Sequence, residues 1–166
     1  GDLLWPNGAL SAMEVARRLG IPAVLDFDHV RSGPIAAALT APTHIVFSAP
    51  ALTEMSGEID AERGLRTIAA KTDAWIAVTL GAAGVLWRDD DGETHSFPAF
   101  AVDVVDTLGA GDVFHGAFAL GLAEGRSMDS VIRRASATAA LKCTHFGGRA
   151  GLPSADEVDE FLSKRS

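Results

Sequence analysis

The chain has 166 residues, of which 48% are hydrophobic and 22% charged, enough for one globular domain with a sizeable core. Its formal net charge of −8 excludes a general nucleic-acid surface, which needs a basic field, but not a local anion site built from backbone amides. The single Cys143 excludes an internal disulfide framework and agrees with a reducing compartment. No signal peptide and no apolar run near ~18 residues is visible, so a soluble cytoplasmic protein with no membrane partner is expected.

Asp2-Leu-Leu-Trp5 reads as the end of a strand. Asn7 can cap a helix over about 8–19, with Leu10, Met13, Val15, Ala16 and Leu19 as its apolar stripe and Gly20 at its C-cap. The run from Pro22 to Asp28 then reads as a buried strand, and strand, helix and strand in this order build a parallel sheet. Asp26 and Asp28 lie two apart and point to one face at the C-terminal edge, where open α/β sheets bind ligands. They face either a metal–nucleotide complex or the loop, with one acid capping the next turn. His29 and Arg31 read as solvated loop residues, and Ser32-Gly-Pro34 opens a short helix through Leu39.

Thr43 to Phe47 is the next strand, followed by a loop from Ser48 to Ala51 and a helix near 52–56. A helix from Asp60 or Ala61 to about Lys71 turns Leu65, Ile68 and Ala69 inward. The strongest strand signal, Ala74 to Leu80, runs through Gly81-Ala-Ala-Gly84 into a strand at Val85–Arg88, which suits a tight hairpin. Asp89-Asp-Asp-Gly92 is a charged turn explained by its Asp-Gly pair, and the chain returns as a strand to Phe97.

Val102-Asp-Val-Val105 reads as a strand or an extended approach to Asp106-Thr-Leu-Gly-Ala-Gly-Asp112. Beyond it Val113, Phe114, Ala117, Phe118, Leu120 and Leu122 recur at helical spacing, predicting a helix over 109–124 closed by Gly125. Ser127 caps a helix from Met128 to about Lys142, with Val131, Ala135, Ala139 and Leu141 on its packing face. His145 is a lone loop histidine, and Pro153 to Glu157 caps a last helix ending near Ser163. With no repeat or linker, the pattern predicts a single α/β domain over 1–166. Its sheet is mostly parallel with one antiparallel hairpin at 75–97.

The turn at Gly109-Ala110-Gly111 carries the chemistry. The first amides of a helix lack intrahelical partners and the helix dipole is positive there, so the turn is a candidate anion cradle. Asp112 adds a carboxylate to the same first turn. It either complements the dipole or takes a proton from a hydroxyl that attacks a phosphate held by the amides. His115, one turn on, touches substrate or belongs to the helix surface or core.

The stretch DTLGAGD, three residues and then Gly116-Ala-Phe-Ala119 resembles the C-terminal signature of the ribokinase-like (PfkB) carbohydrate kinases. The resemblance implies a three-layer α/β/α sandwich and an ATP- and magnesium-dependent transfer to a sugar. Asp112 is then the base, and Gly109, Ala110 and Gly111 form the anion hole. Thr79-Leu-Gly-Ala-Ala-Gly84 resembles the family's Thr-x-Gly-x-x-Gly loop, which implies nucleotide contacts at Thr79, Gly81 and Gly84, with Thr107 of the signature as another. Adenine would pack on Phe100, Val102 or Val104. Potassium-activated relatives imply a monovalent cation on the carbonyls of Asp106, Leu108 and the segment 142–148. The family's Asn-x-x-Glu motif, which organises magnesium-bound water, has no match near Ser48–Leu52, and Glu54 reads as a solvated helix face.

Only the C-terminal half of such a kinase is covered, without the half that carries the lid and most sugar contacts. The chain alone is therefore expected to turn over little substrate. Other readings are a kinase for a nucleoside or another alcohol, or a non-catalytic nucleotide-binding module; homodimerisation is compatible with each.

Overall fold

The computed structural model describes residues 1–28, 35–89 and 91–165. His29 and Arg31, the helix start at Ser32-Gly-Pro34, and Asp90 of the charged turn lie outside the described residues. The chain divides into two units, residues 1–80 with 85–96, and residues 81–84 with 97–166.

The first unit begins with a turn. Asp2 Oδ1 accepts the Leu4 amide at 2.8 Å, which diverts the chain before a strand can form. The expected strand at Asp2–Trp5 is absent; instead Gly1 alone bonds the strand edge, donating to the Val24 carbonyl and accepting from the Asp26 amide. Helix α1 spans Pro6–Arg18. Proline at the first position presets φ and lacks the N–H that would be unpaired there, so the helix starts ahead of Asn7, which caps nothing. Leu10 and Met13 are buried, whereas Val15 and Leu19 of the expected stripe face solvent.

Strands β1 (Val24–Phe27), β2 (His44–Ser48), β3 (Trp75–Thr79), β4 (Val85–Arg88) and β5 (Thr94–Phe97) form one sheet in that order. β1 and β2 pair in parallel, as do β2 and β3, and β4 runs antiparallel to β3. This is the mostly parallel α/β sheet the strand–helix alternation predicts. Leu25, Phe27, Ile45, Phe47, Ile76 and Val78 sit two apart on their strands and fill one core, with Phe27 and Phe47 directly paired and their rings 4.7 Å apart. Each such side chain contributes roughly 1.5–3 kcal/mol over its exposed state, which anchors the strand ends from which the loops leave.

Helices α2 (Ile35–Thr40), α3 (Ala49–Ser56) and α4 (Ala61–Ala69) add Leu39, Leu52, Leu65 and Ile68 to that core. Helix α3 starts earlier than the expected 52, because Ser48 Oγ accepts the Ala51 amide and Pro50 sits in the first turn. Asp60 caps α4 through the Arg63 amide at 2.8 Å. Thr79 ends β3 opposite Ser48, its hydroxyl 3.4 Å from the Phe47 carbonyl. On the hairpin, Asp89 accepts the Glu93 amide and pairs with His95, which stacks on Trp87. Asp89 is thus a turn residue.

The second unit contains α5 (Ala110–Ala123), α6 (Met128–Cys143) and α7 (Ala155–Ser163). Val102–Val105 is not a strand: the amides of Val105 and Asp106 both donate to the Cys143 carbonyl, which ties the segment to the end of α6 instead of to a neighbouring strand. On α6, Val131, Ile132, Ala135 and Ala137 are buried with Lys142, while Ala139 and Leu141 are half-buried. Ser154 and Glu157 form a reciprocal capping box at α7. Its buried Val158 and Phe161 pack with Ala137, Phe100 and Val102.

Candidate active site

Helix α5 begins on Gly109, whose φ of 76° lies in the left-handed region where a side chain is strained. No side chain caps the helix. The Ala110 amide turns back to the Thr107 carbonyl at 3.1 Å, and the Val113 amide makes the first helical bond, to Gly109. Helix geometry then leaves the amides of Gly111 and Asp112 without an intrahelical acceptor. A Cβ built on Gly111 meets nothing within 4 Å, so a ligand can approach the backbone there. Asp112 is exposed, and one of its oxygens stands 3.7 Å from where a Cβ on Gly109 would be. His115 Nδ1 donates to the Gly111 carbonyl at 2.7 Å, so this ring is fastened to the first turn.

Asp106 holds the turn from below. Its Oδ1 accepts the Leu108 amide at 2.9 Å and its Oδ2 the Gly147 amide at 2.8 Å. Its main-chain carbonyl accepts from Lys142 Nζ at 2.8 Å, and the same ammonium lies 3.7 Å from Oδ2. The two amides first, and Lys142 after them, hold the Asp106 carboxyl below the usual aspartate range. Sequence reasoning placed the segment 142–148 near this turn through its carbonyls and missed the lysine side chain. The available signal was that Lys142 falls seven residues after Ala135, on the apolar face of α6.

A cleft of about 590 Å³ opens beside Asp112. Gly116, Ala117 and Leu120 of α5 form one wall, and Arg134 and Thr138 of α6 line it with the segment 148–155. Arg134 and Thr138 have no local motif and could be found only from the fold. Arg134 is fixed by an ion pair with Asp159, whose carboxyl it holds low.

The other expected residues are distributed as follows. Gly81 opens a short 3₁₀ turn over Gly81–Ala83 and is exposed, whereas Gly84 is buried against the backbone of Phe97–Ala99. Thr107 and Leu108 are exposed in the motif turn, Leu108 at 66%. Phe100 packs edge-on to Phe97 and Phe161, and Val104 is exposed. Among the described residues, no three His, Cys, Asp or Glu side chains gather as metal donors, and no helix is long and apolar enough to cross a membrane.

The glycine turn, its first-turn amides without an intrahelical acceptor, the exposed Asp112 and the cleft lie together at the head of α5, an arrangement that can receive an anion. The profile of the pfkB family of carbohydrate kinases matches residues 9–155, and the chain belongs to that family. Over 90 residues it is 41% identical to the ribokinase of Bacillus subtilis strain 168, covering 54% of this chain and 30% of that protein. A crystal structure from Agrobacterium tumefaciens, provisionally assigned as a ribokinase, is similar with a TM-score of 0.94 at 43% identity, over 99% of this chain and 54% of that one. The aminoimidazole riboside kinase of Salmonella enterica, solved with aminoimidazole riboside and an ATP analogue, has a TM-score of 0.82 at 28% identity, over 93% of this chain and 56% of that one. The chain thus spans about half the length of these solved relatives.

Proposed function

We propose that the protein containing this chain transfers the terminal phosphoryl group of ATP to a hydroxyl of a sugar. The observation that carries the reading is Asp112, exposed in the first turn of α5 beside the left-handed Gly109 and at the rim of the cleft. The acceptor oxygen bonds to the γ-phosphorus as its proton passes to Asp112. The bond from phosphorus to the bridging oxygen breaks, and ADP departs with that electron pair. The Gly109–Gly111 turn is the anion hole, its amides and helix dipole opposing the charge on the phosphoryl oxygens. Thr107, Gly81 and Gly84 are nucleotide contacts of the same reading, as is Thr79 at the end of β3. The likeness to an aminoimidazole riboside kinase makes ribosyl compounds the first acceptors to try.

Magnesium bound through nucleotide phosphates needs only one or two protein carboxylates, but the carboxylate of the motif turn, Asp112, is the base in this reading. Among the described residues no three His, Cys, Asp or Glu side chains gather, so no residue of this chain is assigned to a metal that arrives with ATP. Such an ion neutralises phosphate charge. Titrating the protein with ATP or ADP while following backbone amide signals tests the site. Shifts at Gly109–Asp112 and Gly81–Gly84 are expected, and shifts confined to other segments would refute it.

A further inference from the structure

Among the described residues, Lys142 and Ser136 are the buried polar side chains, and Lys142 has no exposed surface. A buried ammonium persists only where oxygen acceptors replace its water. Both oxygens found for Nζ belong to Asp106, the main-chain carbonyl at 2.8 Å and Oδ2 at 3.7 Å. Each oxygen of that carboxylate also accepts one backbone amide, Oδ1 that of Leu108 and Oδ2 that of Gly147. The first residue of the motif is therefore held by two backbone amides and a built-in cation.

The family resemblance places a potassium ion on carbonyls that include the one at Asp106. In this chain that carbonyl is already bonded to a positive group, and a second cation sharing it would meet like charge in a buried place. The residues do not fit an added monovalent ion there. We propose that Lys142 is a positioning residue that stands in for the monovalent cation beneath the motif, so that nucleotide binding by this protein does not depend on potassium. The inference rests on reading the motif turn as the nucleotide site. By fixing the Asp106 carbonyl, Lys142 holds the approach to the turn whose later amides meet the phosphate.

The test compares the wild-type protein with Lys142→Met, which keeps an unbranched apolar stem and removes the terminal ammonium. ADP affinity is measured in potassium and in tetramethylammonium at equal ionic strength. The wild type is expected to change by less than about twofold, and Lys142→Met to bind more weakly in tetramethylammonium and regain about 5–150-fold in potassium, the usual span of site-to-site coupling. In parallel, the Leu108 and Gly147 amide signals are followed in a potassium titration without nucleotide. They should stay fixed in the wild type and move saturably in the variant. Saturable, potassium-specific shifts in the wild type would overturn the proposal. So would a folded Lys142→Met that responds to potassium in neither measurement, since that is the behaviour of a lysine needed for packing alone. If Lys142→Met does not fold, Lys142→Gln, which retains a donor for the Asp106 carbonyl, takes the same titrations. Failure of ADP to bind the wild type would refute the nucleotide reading, while the amide titration would still decide the role of the lysine.

Discussion

The Gly147 amide donates to Oδ2 of Asp106 at 2.8 Å, across a sequence separation of 41 residues. With the Leu108 amide on the other oxygen, it keeps the Asp106 carboxyl ionised below its ordinary range. A carboxyl with a depressed folded pKa stabilises the native state above its unfolded pKa, near 3.9, and that contribution is lost as pH falls through the folded value. Asp106→Asn should therefore have the lower Tm at neutral pH, and the gap to the wild type should close on acidification. Melting curves from neutral pH to about pH 3 measure it. A gap that does not change with pH would contradict this role for the carboxylate.

Gly84 and Gly81 differ in what surrounds them. A Cβ on Gly84 would stand 2.1 Å from the Phe97 carbonyl oxygen and 2.8 Å from the Ala99 nitrogen, whereas one on Gly81 meets nothing within 4 Å. Gly84→Ala must move backbone and should cost more than about 4 kcal/mol or prevent folding. Gly81→Ala bears only the cost of a left-handed residue at φ 58°, about 1–2 kcal/mol. Urea denaturation of the two variants separates them, and equal losses would contradict the packing seen at Gly84.

The parts of this protein that were legible in its sequence are those fixed locally. Apolar runs marked β1 to β4 and apolar spacing the core positions Leu65 and Ile68, the Asp-Gly turn marked the return into β5, and the glycines with Asp112 marked the turn at the head of α5. Misreadings arose where a neighbour outbid a cap or a pattern. Pro6 started α1 ahead of Asn7, and the Asp2 turn stopped a strand. At Val102–Val105, read as a strand or an extended approach, the Cys143 carbonyl holds the amides of Val105 and Asp106, and the extended approach is what forms. Lys142 was unreadable as a side-chain partner because its acceptor lies 36 residues away, and a lysine near a helix end ordinarily reads as solvated. Arg134 and Thr138 reach the cleft only through the packing of α6 beside α5.

Ser154 Oγ accepts the Glu157 amide, and the Glu157 carboxylate accepts the Ser154 amide at 2.7 Å. Ser154→Ala removes half of this box and should cost ~0.5–2 kcal/mol, while Ser154→Asp, which can still cap, should cost less. Thermal melts report both. An alanine variant as stable as the wild type would show that α7 does not need its cap.

Burial pushes the Cys143 thiol up, so little thiolate is present near neutral pH. A thiol-exchange reagent should react with the native protein more slowly than with free cysteine and accelerate on unfolding. Native reactivity equal to that of free cysteine would contradict the partly buried position.

The central claim is that Asp112 accepts the proton of the attacking hydroxyl. Asparagine at this position is nearly isosteric and keeps a polar side chain in the first turn, so it separates proton acceptance from dipole compensation. Single-turnover phosphoryl transfer by the intact protein, with wild type and Asp112→Asn compared at saturating ATP and acceptor, measures the chemical step directly. A fall of roughly 10²–10⁴-fold with unchanged nucleotide affinity is predicted. A chemical step at the wild-type rate, accompanied only by a stability loss of about 0.3–1 kcal/mol, would leave Asp112 a dipole-compensating residue and contradict its role as the base.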